Sequence, residues 1–350
     1  MQTFSGGLFH SLFISSNGNV LGCGRNEKGS LGSVPKSNIP VDLSFPPNIC
    51  SVAAGNEFSL CLDREGNVWG TGNCVYGENG MKNPTTTPTK ILDIPPMQSV
   101  VASHNYYSVY LDINGNAWSC GYNGFGQLGL GSLIEQRHPV QVENLPKLKS
   151  VAVGYYHTFF ISEAGEVWAS GYNMYGQLGI SPDLSQQQLV PIKIEFPLPI
   201  VAVSAGDFHT VFLDIDGGVW GCGIDASSNF EPQRMSQLPP IVEVSAGVKY
   251  SAFLDVNGQV WNRGAAPGYP GTANLVEKFA GVVNMQKLNC SSHLLFMDNN
   301  DQIWSAGSNS CGQLGLGDAN FRFNPELNMQ LGQIAGTGKR FVATKSARKL

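Results

Sequence analysis

The chain has 350 residues and a formal net charge of −5 at pH 7, with 42% hydrophobic but only 13% charged residues. So few charges alongside 42 glycines exclude a disordered chain and fit a turn-rich β protein. Five cations (Lys339, Arg340, Lys345, Arg348 and Lys349) crowd the last twelve residues, leaving 16 basic against 26 acidic residues in the body, a balance that excludes a broad nucleic-acid footprint.

The basic end reads as a solvated tail. Met1 to His10 lacks the charged start and apolar run of a signal peptide, and no segment approaches the length that spans a membrane. The eight cysteines contain no CxxC pair. Cys23, Cys120 and Cys222 share a position that Thr71, Ser170, Arg263 and Ala306 take elsewhere, which is a small strand residue and not a metal ligand. These features predict an intracellular protein, cytoplasmic or nuclear, monomeric, without membrane insertion, metal or cofactor.

Taken in chain order, one β-rich unit recurs seven times, at about 1–50, 51–100, 101–149, 150–201, 202–243, 244–287 and 288–323. The copy from Ala102 to Gly131 is the fullest. A loop, His104-Asn105-Tyr106-Tyr107, leads into a strand from Ser108 to Leu111. The turn Asp112-Ile113-Asn114-Gly115 follows, then the return strand Ala117-Trp118-Ser119-Cys120 and Gln127-Leu128-Gly129. Asn and Gly tolerate the positive φ of tight hairpin turns, so each copy predicts a hairpin. Turn glycines at Gly18, Gly66, Gly115, Gly165, Gly217 and Gly258, with Asp301 in the last copy, are spaced by 48, 49, 50, 52, 41 and 43 residues. All six tryptophans, Trp69, Trp118, Trp168, Trp220, Trp261 and Trp304, share one repeat position, with Leu21 in the first copy. Repeats of this length predict an all-β, seven-bladed β-propeller in one domain, its tryptophans buried between blades. Copies five and six lose the Gly-Gln-Leu-Gly motif, and Ser227-Ser228-Asn229 and Pro267-Gly268-Tyr269-Pro270 stand in its place. Residues 324–350 echo an outer strand at Pro325-Glu326-Leu327 and an inner one at Ile334-Ala335-Gly336, which predicts closing strands that complete the ring against the first copy.

Repetition also sorts the chemistry. His10, His157, His209 and His293 hold one repeat position, filled elsewhere by Phe58, Tyr107 and Tyr250. Seven equivalent sites cannot all be catalytic, so these are packed loop anchors whose polar tips bond the turn. Asp63, Asp112, Asp214, Asp255 and Asp298 open the hairpin turns and read as turn residues. Gly336-Thr337-Gly338-Lys339 fails as a phosphate loop, and no conventional catalytic site is present. What escapes the pattern is the pair between the loop glycine and the anchor. It contributes Phe9, Glu57, Tyr106, Tyr155, Tyr156, Asp207, Phe208 and Lys249. Equivalent loops of a ring open on one face, so these residues predict a protein-binding surface at one mouth of the channel.

The Gly-x-x-His loop, Gly-x-Val-Trp strand, Gly-x-Asn step and Gly-Gln-Leu-Gly, spread over about 4–317, resemble the repeats of the regulator of chromosome condensation family. The resemblance implies a seven-bladed propeller, on which relatives exchange guanine nucleotide on Ran-type GTPases, assist ubiquitin ligases, sense light in plants or inhibit a bacterial enzyme. It implies no one of these for this chain. In the exchange factors, carboxylates of this loop face the GTPase; Asp207 matches that position and Glu57 sits one place later. Between closing glycines and next anchors there is no room for the exchange factor's inserted wedge, and its basic N-terminal arm is absent. The expected partner is a Ran-like small GTPase, with nucleotide exchange as the associated activity. An adaptor or inhibitor that binds another protein is the alternative, and a hydrolase the third.

Overall fold

A computed structural model describes residues 2–224, 230–266, 275–279 and 281–331. Among them, 28 strands form seven four-stranded antiparallel sheets, each made from one continuous stretch of chain. Blade three shows the plan, with an inner strand Met97–Ala102, a second strand Tyr107–Asp112, a third Ala117–Gly121 and an outer strand Gln136–Gln141. The second strands are buried along their whole length, whereas the outer strands are largely exposed. In blades five and six the outer strands shrink to Gln233–Arg234 and Val276–Lys278. The replacement segments expected there, 227–229 and 267–270, lie outside the described residues.

The hairpin turns use the left-handed region once each. Gly115 has φ +78 and donates its NH back to Asp112 O at 3.0 Å, and Asp301 adopts φ +60 where the seventh copy lacks glycine. The glycine that closes each third strand is fixed more tightly. A Cβ on Gly121, at φ +108, would lie 2.4 Å from Tyr106 O.

Apolar packing divides into seven clusters, one at each seam between blades. Each tryptophan packs on one of them but stays half-buried, a correction to the buried ring expected from sequence. The cause is polar. Trp69, Trp118, Trp220, Trp261 and Trp304 each turn Nε1 to the turn aspartate of their own blade, donating to Oδ2 of Asp63, Asp112, Asp214, Asp255 and Asp298 at 2.9–3.2 Å. The other oxygen of that aspartate accepts two backbone NH groups of the turn, as at Asn114 and Asn116. Copy four carries Ser162 in place of the aspartate, and Trp168 Nε1 is left buried without a partner.

The loop anchors also correct an expectation. Their tips reach across the seam, and of the four histidines only His293 also bonds its own loop, its Nδ1 lying 3.2 Å from both Ser291 Oγ and Ser292 Oγ. His10 Nε2 lies 2.9 Å from Ser59 Oγ, His157 Nε2 3.0 Å from Thr210 Oγ1, His209 Nε2 2.9 Å from Ser251 Oγ, and His293 Nε2 2.7 Å from Ser11 Oγ. Tyr107 donates its hydroxyl to His157 O of the next blade at 2.7 Å, and Tyr250 to His293 O at 3.2 Å. Three of the hydroxyls that meet a histidine spend their own proton on a carbonyl of the preceding blade. Ser59 donates to Ser30 O, Thr210 to Gln177 O and Ser11 to Gln313 O. At His10, His157 and His293 the histidine nitrogen must therefore be the donor, so Nε2 carries a proton. Burial drives the imidazole pKa down to about 3 for His10, His157 and His293 and about 4 for His209.

Ring closure follows the same rules without strand exchange. Phe4, Phe13 and Cys23 pack with Leu295, Met297, Ile303 and Leu331, Gly6 NH donates to Asn289 Oδ1 at 2.7 Å, and Gly317 NH donates to Asn38 O at 2.9 Å. The strand expected at Pro325-Glu326-Leu327 exists, as Arg322–Leu327, but it pairs with Ile303–Gly307 of its own blade, across the boundary expected at 323. Its place is the outer edge of blade seven, not a clasp on the first copy. The inner-strand echo at 334–336 and the basic tail lie outside the described residues.

Two predictions follow from these bonds. The anchoring histidines are neutral when folded and basic when unfolded, so their contribution is complete above about pH 6.5 and is lost as pH falls toward the folded values. Each should add about 1.4 kcal/mol of destabilisation per pH unit below 6.5. Urea melts at pH 7 and 5 read the slope, and His157→Gln, which keeps a donor but cannot titrate, should lower it by that amount. Separately, Ser162→Asp should supply the acceptor Trp168 lacks and raise stability by about 1 kcal/mol, seen as a higher Tm.

Candidate functional site

In blades one to four and seven, two loops open on the same face. One joins the inner strand to the second and carries the variable pair. The other follows the third strand and is shaped by its own polar residues. In blade three, Asn123 Oδ1 accepts Leu128 NH at 3.0 Å and its Nδ2 donates to Ser132 O at 2.8 Å, while Gln127 Oε1 accepts Phe125 NH at 3.0 Å. Asn173 and Gln177 repeat the arrangement in blade four. This scaffold lifts Tyr122 and Phe125, and Tyr172 and Tyr175, beside the variable pairs.

The outcome is an unbroken ridge of nine aromatic rings over blades two to five. Tyr76 lies 5.8 Å from Tyr106 and 5.1 Å from Tyr122, centroid to centroid. Tyr122 leads to Tyr156 at 6.0 Å, with Phe125 4.5 Å from Tyr156 and 4.8 Å from Tyr172. Tyr155 stacks edge-on to Tyr156 at 4.6 Å and reaches Phe208 at 6.0 Å, where Tyr175 closes the line at 5.3 Å. The rings are half-buried, mainly against one another, with Tyr175 39% exposed. Burial, followed by neighbouring tyrosines and, for Tyr155, by Asp207, raises the hydroxyl pKa of Tyr122 and Tyr155.

Of the residues expected at this face, Tyr106, Tyr155, Tyr156 and Phe208 belong to the ridge. Glu57 stands at its blade-two end, close enough to raise the Tyr106 hydroxyl. Asp207 lies at the channel mouth with Tyr155 and His104, above a central cavity of about 250 Å³. Phe9 stands apart, covered by the Arg25 guanidinium 4.0 Å from its ring centroid, and Lys249 is exposed on blade six. Tyr76, Tyr122, Phe125, Tyr172 and Tyr175 were missed, because they sit inside Gly-x-Asn and Gly-Gln-Leu-Gly motifs that read as structural. His104 contributes from the inner side; burial brings its pKa down to about 4, moderated by a hydrogen bond with the Gly6 backbone.

Asp207 is the unusual charge. Burial raises its carboxyl pKa to about 7, against a smaller downward pull from Lys249. Such a group favours the folded state at low pH and opposes it as pH rises from about 4 through 7. Among the described residues, no group of three or more His, Cys, Asp or Glu side chains is placed to hold a metal ion, and no helix is long and apolar enough to cross a membrane.

A family model described as RCC1-like domain matches residues 1–230. In structure, the chain is similar to human WBSCR16, with a TM-score of 0.76 and 20% identity over 85% of this chain and 86% of the other. It is similar also to Saccharomyces cerevisiae Prp20p, a structure reported with that protein's binding properties to Gsp1p and histones, with a TM-score of 0.75 and 20% identity over 82% of this chain and 80% of the other. A plant relation is more distant; the ectodomain of the Arabidopsis thaliana receptor kinase ACR4 gives a TM-score of 0.58 at 13% identity, covering 93% of this chain and 98% of the other. No curated protein matches the sequence significantly.

Asp207→Asn should raise the Tm at pH 8, where the native charge is present, and the gain should fade toward pH 4. A pair of thermal melts at those two pH values checks it.

Proposed function

This chain belongs to the RCC1-like domain family, and on that premise we propose that it is a protein-binding propeller whose tyrosine-rich face engages a Ran-like small GTPase. The observation that carries the reading is the aromatic ridge. A fold needs the same residues in every copy, whereas these rings occupy only blades two to five and remain half-exposed. Tyrosine supplies large contact area at small entropic cost and dominates the centres of protein interfaces. Glu57 and Asp207 at the flanks would meet basic groups of the partner and speed its approach. The likeness to Prp20p, with its binding to Gsp1p, supports the choice of partner class. All eight cysteines are free and buried, which suits the intracellular setting such a partner requires.

Exchange would need no covalent chemistry. A propeller that binds the nucleotide-free GTPase more tightly than the loaded form lowers nucleotide affinity by the same factor. The second reading is an adaptor or inhibitor that binds a protein and leaves nucleotide untouched. The shortness of the inter-copy segments favours it, since none leaves room for a large inserted element to prise open a phosphate site.

The deciding measurement is labelled-GDP release from a panel of small GTPases, alongside direct binding. Tyr155→Ala/Tyr156→Ala should weaken binding by about 2 kcal/mol or more, and Asp207→Lys should mainly slow association, while exposed Ser33→Lys should do neither. Binding unaffected by the first two places the partner on another surface. Binding that depends on them without faster release on any GTPase selects the adaptor.

A further inference from the structure

The blade-two end of the ridge differs from the rest in the sign of its buried polar groups. In blades three, four and seven the residue after the loop glycine is Gln127, Gln177 or Gln313, whose Oε1 accepts the backbone NH two residues earlier. Blade two has Glu78 there. Its Oε2 makes the same bond, accepting Tyr76 NH at 2.9 Å, so Oε1, an acceptor, takes the place of an amide nitrogen that donates to Ser308 Oγ at 3.2 Å in blade seven and has no partner in blades three and four. Glu78 is 0% exposed, and this oxygen has no partner; nor does Asn56 Oδ1 in the neighbouring loop. Glu57 shares the spot and raises the Glu78 carboxyl pKa, though burial contributes more. Its own contact is a long bond from Asn73 Nδ2 to Oε2 at 3.4 Å. Among the described residues neither carboxylate has an ion-pair partner. Both carboxylates couple to Tyr106, whose ring meets Tyr76 at 5.8 Å.

Two carboxylates, two tyrosine rings and two unpartnered buried acceptors in one place call for a donor-rich cation. Blade one supplies such a cation from within. Arg25, at the repeat position of Asn73, lies over Phe9, at the repeat position of Glu57. We propose that the seam of blades two and three receives an arginine side chain from an exposed segment of the partner protein, its guanidinium lying against Tyr76 and Tyr106, donating to Glu57 and drawn by the buried Glu78 charge beneath. A guanidinium offers five donors in one plane and a face that stacks on aromatic rings, where an ammonium offers three donors and no plane. The proposal rests on the reading of this face as the partner-binding surface and adds what that surface selects.

The test uses the whole chain and labelled peptides, independent of any GTPase. Hexa-arginine should bind more tightly than hexa-lysine, and a hexa-citrulline peptide of the same length should not bind. Glu78→Gln, which installs the residue blades three, four and seven already accommodate, and Glu57→Gln should each weaken hexa-arginine threefold to tenfold. Glu195→Gln removes the same charge from a side chain that is 81% exposed, and should leave affinity unchanged. The proposal is overturned if the first two substitutions do no more than the third, or if lysine and arginine peptides bind alike. Should Tyr155→Ala/Tyr156→Ala leave partner capture intact while the hexa-arginine pattern holds, the partner assignment falls and the arginine site stands. Partner capture that needs those tyrosines, with no loss of hexa-arginine in either glutamate variant, removes the arginine site alone.

Discussion

The ring depends on one repeated contact, the anchor side chain that crosses each seam. Separate four-stranded sheets share no backbone ladder, so apolar packing alone would let neighbouring blades slide. The latch removes that freedom at a single hydroxyl. Thr210 accepts from His157 of blade four at 3.0 Å and donates to Gln177 O of the same blade at 2.8 Å. One atom thereby ties together the second strand of its own blade, the anchor of the blade before and the loop that carries Gln177. Each such bond contributes only about 1 kcal/mol net, yet leaving a buried partner unmet costs more, so mispairing is penalised at every seam with a His or Tyr anchor, while Phe58 closes the seam after blade two by apolar packing. Inner strands add a second set of ties. Ser204 Oγ accepts Ala246 NH at 2.9 Å and Ser245 Oγ accepts Cys290 NH at 2.8 Å, satisfying edge groups that would otherwise point into the channel.

The same contact positions the surface chemistry. Because Gln177 O is held through its carbonyl and its side chain accepts Tyr175 NH, the ring of Tyr175 inherits the rigidity of the seam. Tyr122, Phe125 and Tyr172 are placed by equivalent bonds. The aromatic ridge is thus carried by the scaffold and not by free loops, which would lower the entropy lost in the proposed binding of a partner there.

Much of this was legible in the sequence. The period, the tryptophan position and the anchors fixed seven blades, because residues that serve a repeat recur with it. The direction of each bond was not legible. A residue that bonds its own turn and one that bonds the next copy have the same periodicity, so His157 looked local and Trp118 looked merely apolar. Only coordinates separate the two cases. The missed half of the ridge is different, since its signal was present. After the closing glycine the chain reads Arg25, Asn73, Tyr122, Tyr172, Ile224, Ala265 and Ser308. That position varies as freely as the loop pairs, and the test used on Tyr155 and Asp207 would have found it too. Surrounding motif glycines made it look structural.

Departures from symmetry then gain a physical meaning. Ser162 and Glu78 both break the repeat, but they differ in what they leave behind. Ser162 leaves a buried donor, the Trp168 indole NH, inside one blade beside its own turn. That is a loss of stability without access to anything outside. Glu78 leaves a buried acceptor beneath half-exposed rings, next to a second carboxylate, at the end of a ridge that spans four blades. Asp207 differs from both: it is only partly buried at the channel mouth, yet burial still disfavours the charge it carries. A fold optimised only for stability would place glutamine and asparagine at these two positions. Charges retained where they oppose folding, on a face that also concentrates half-exposed aromatic rings, are what the proposed partner-binding role would require.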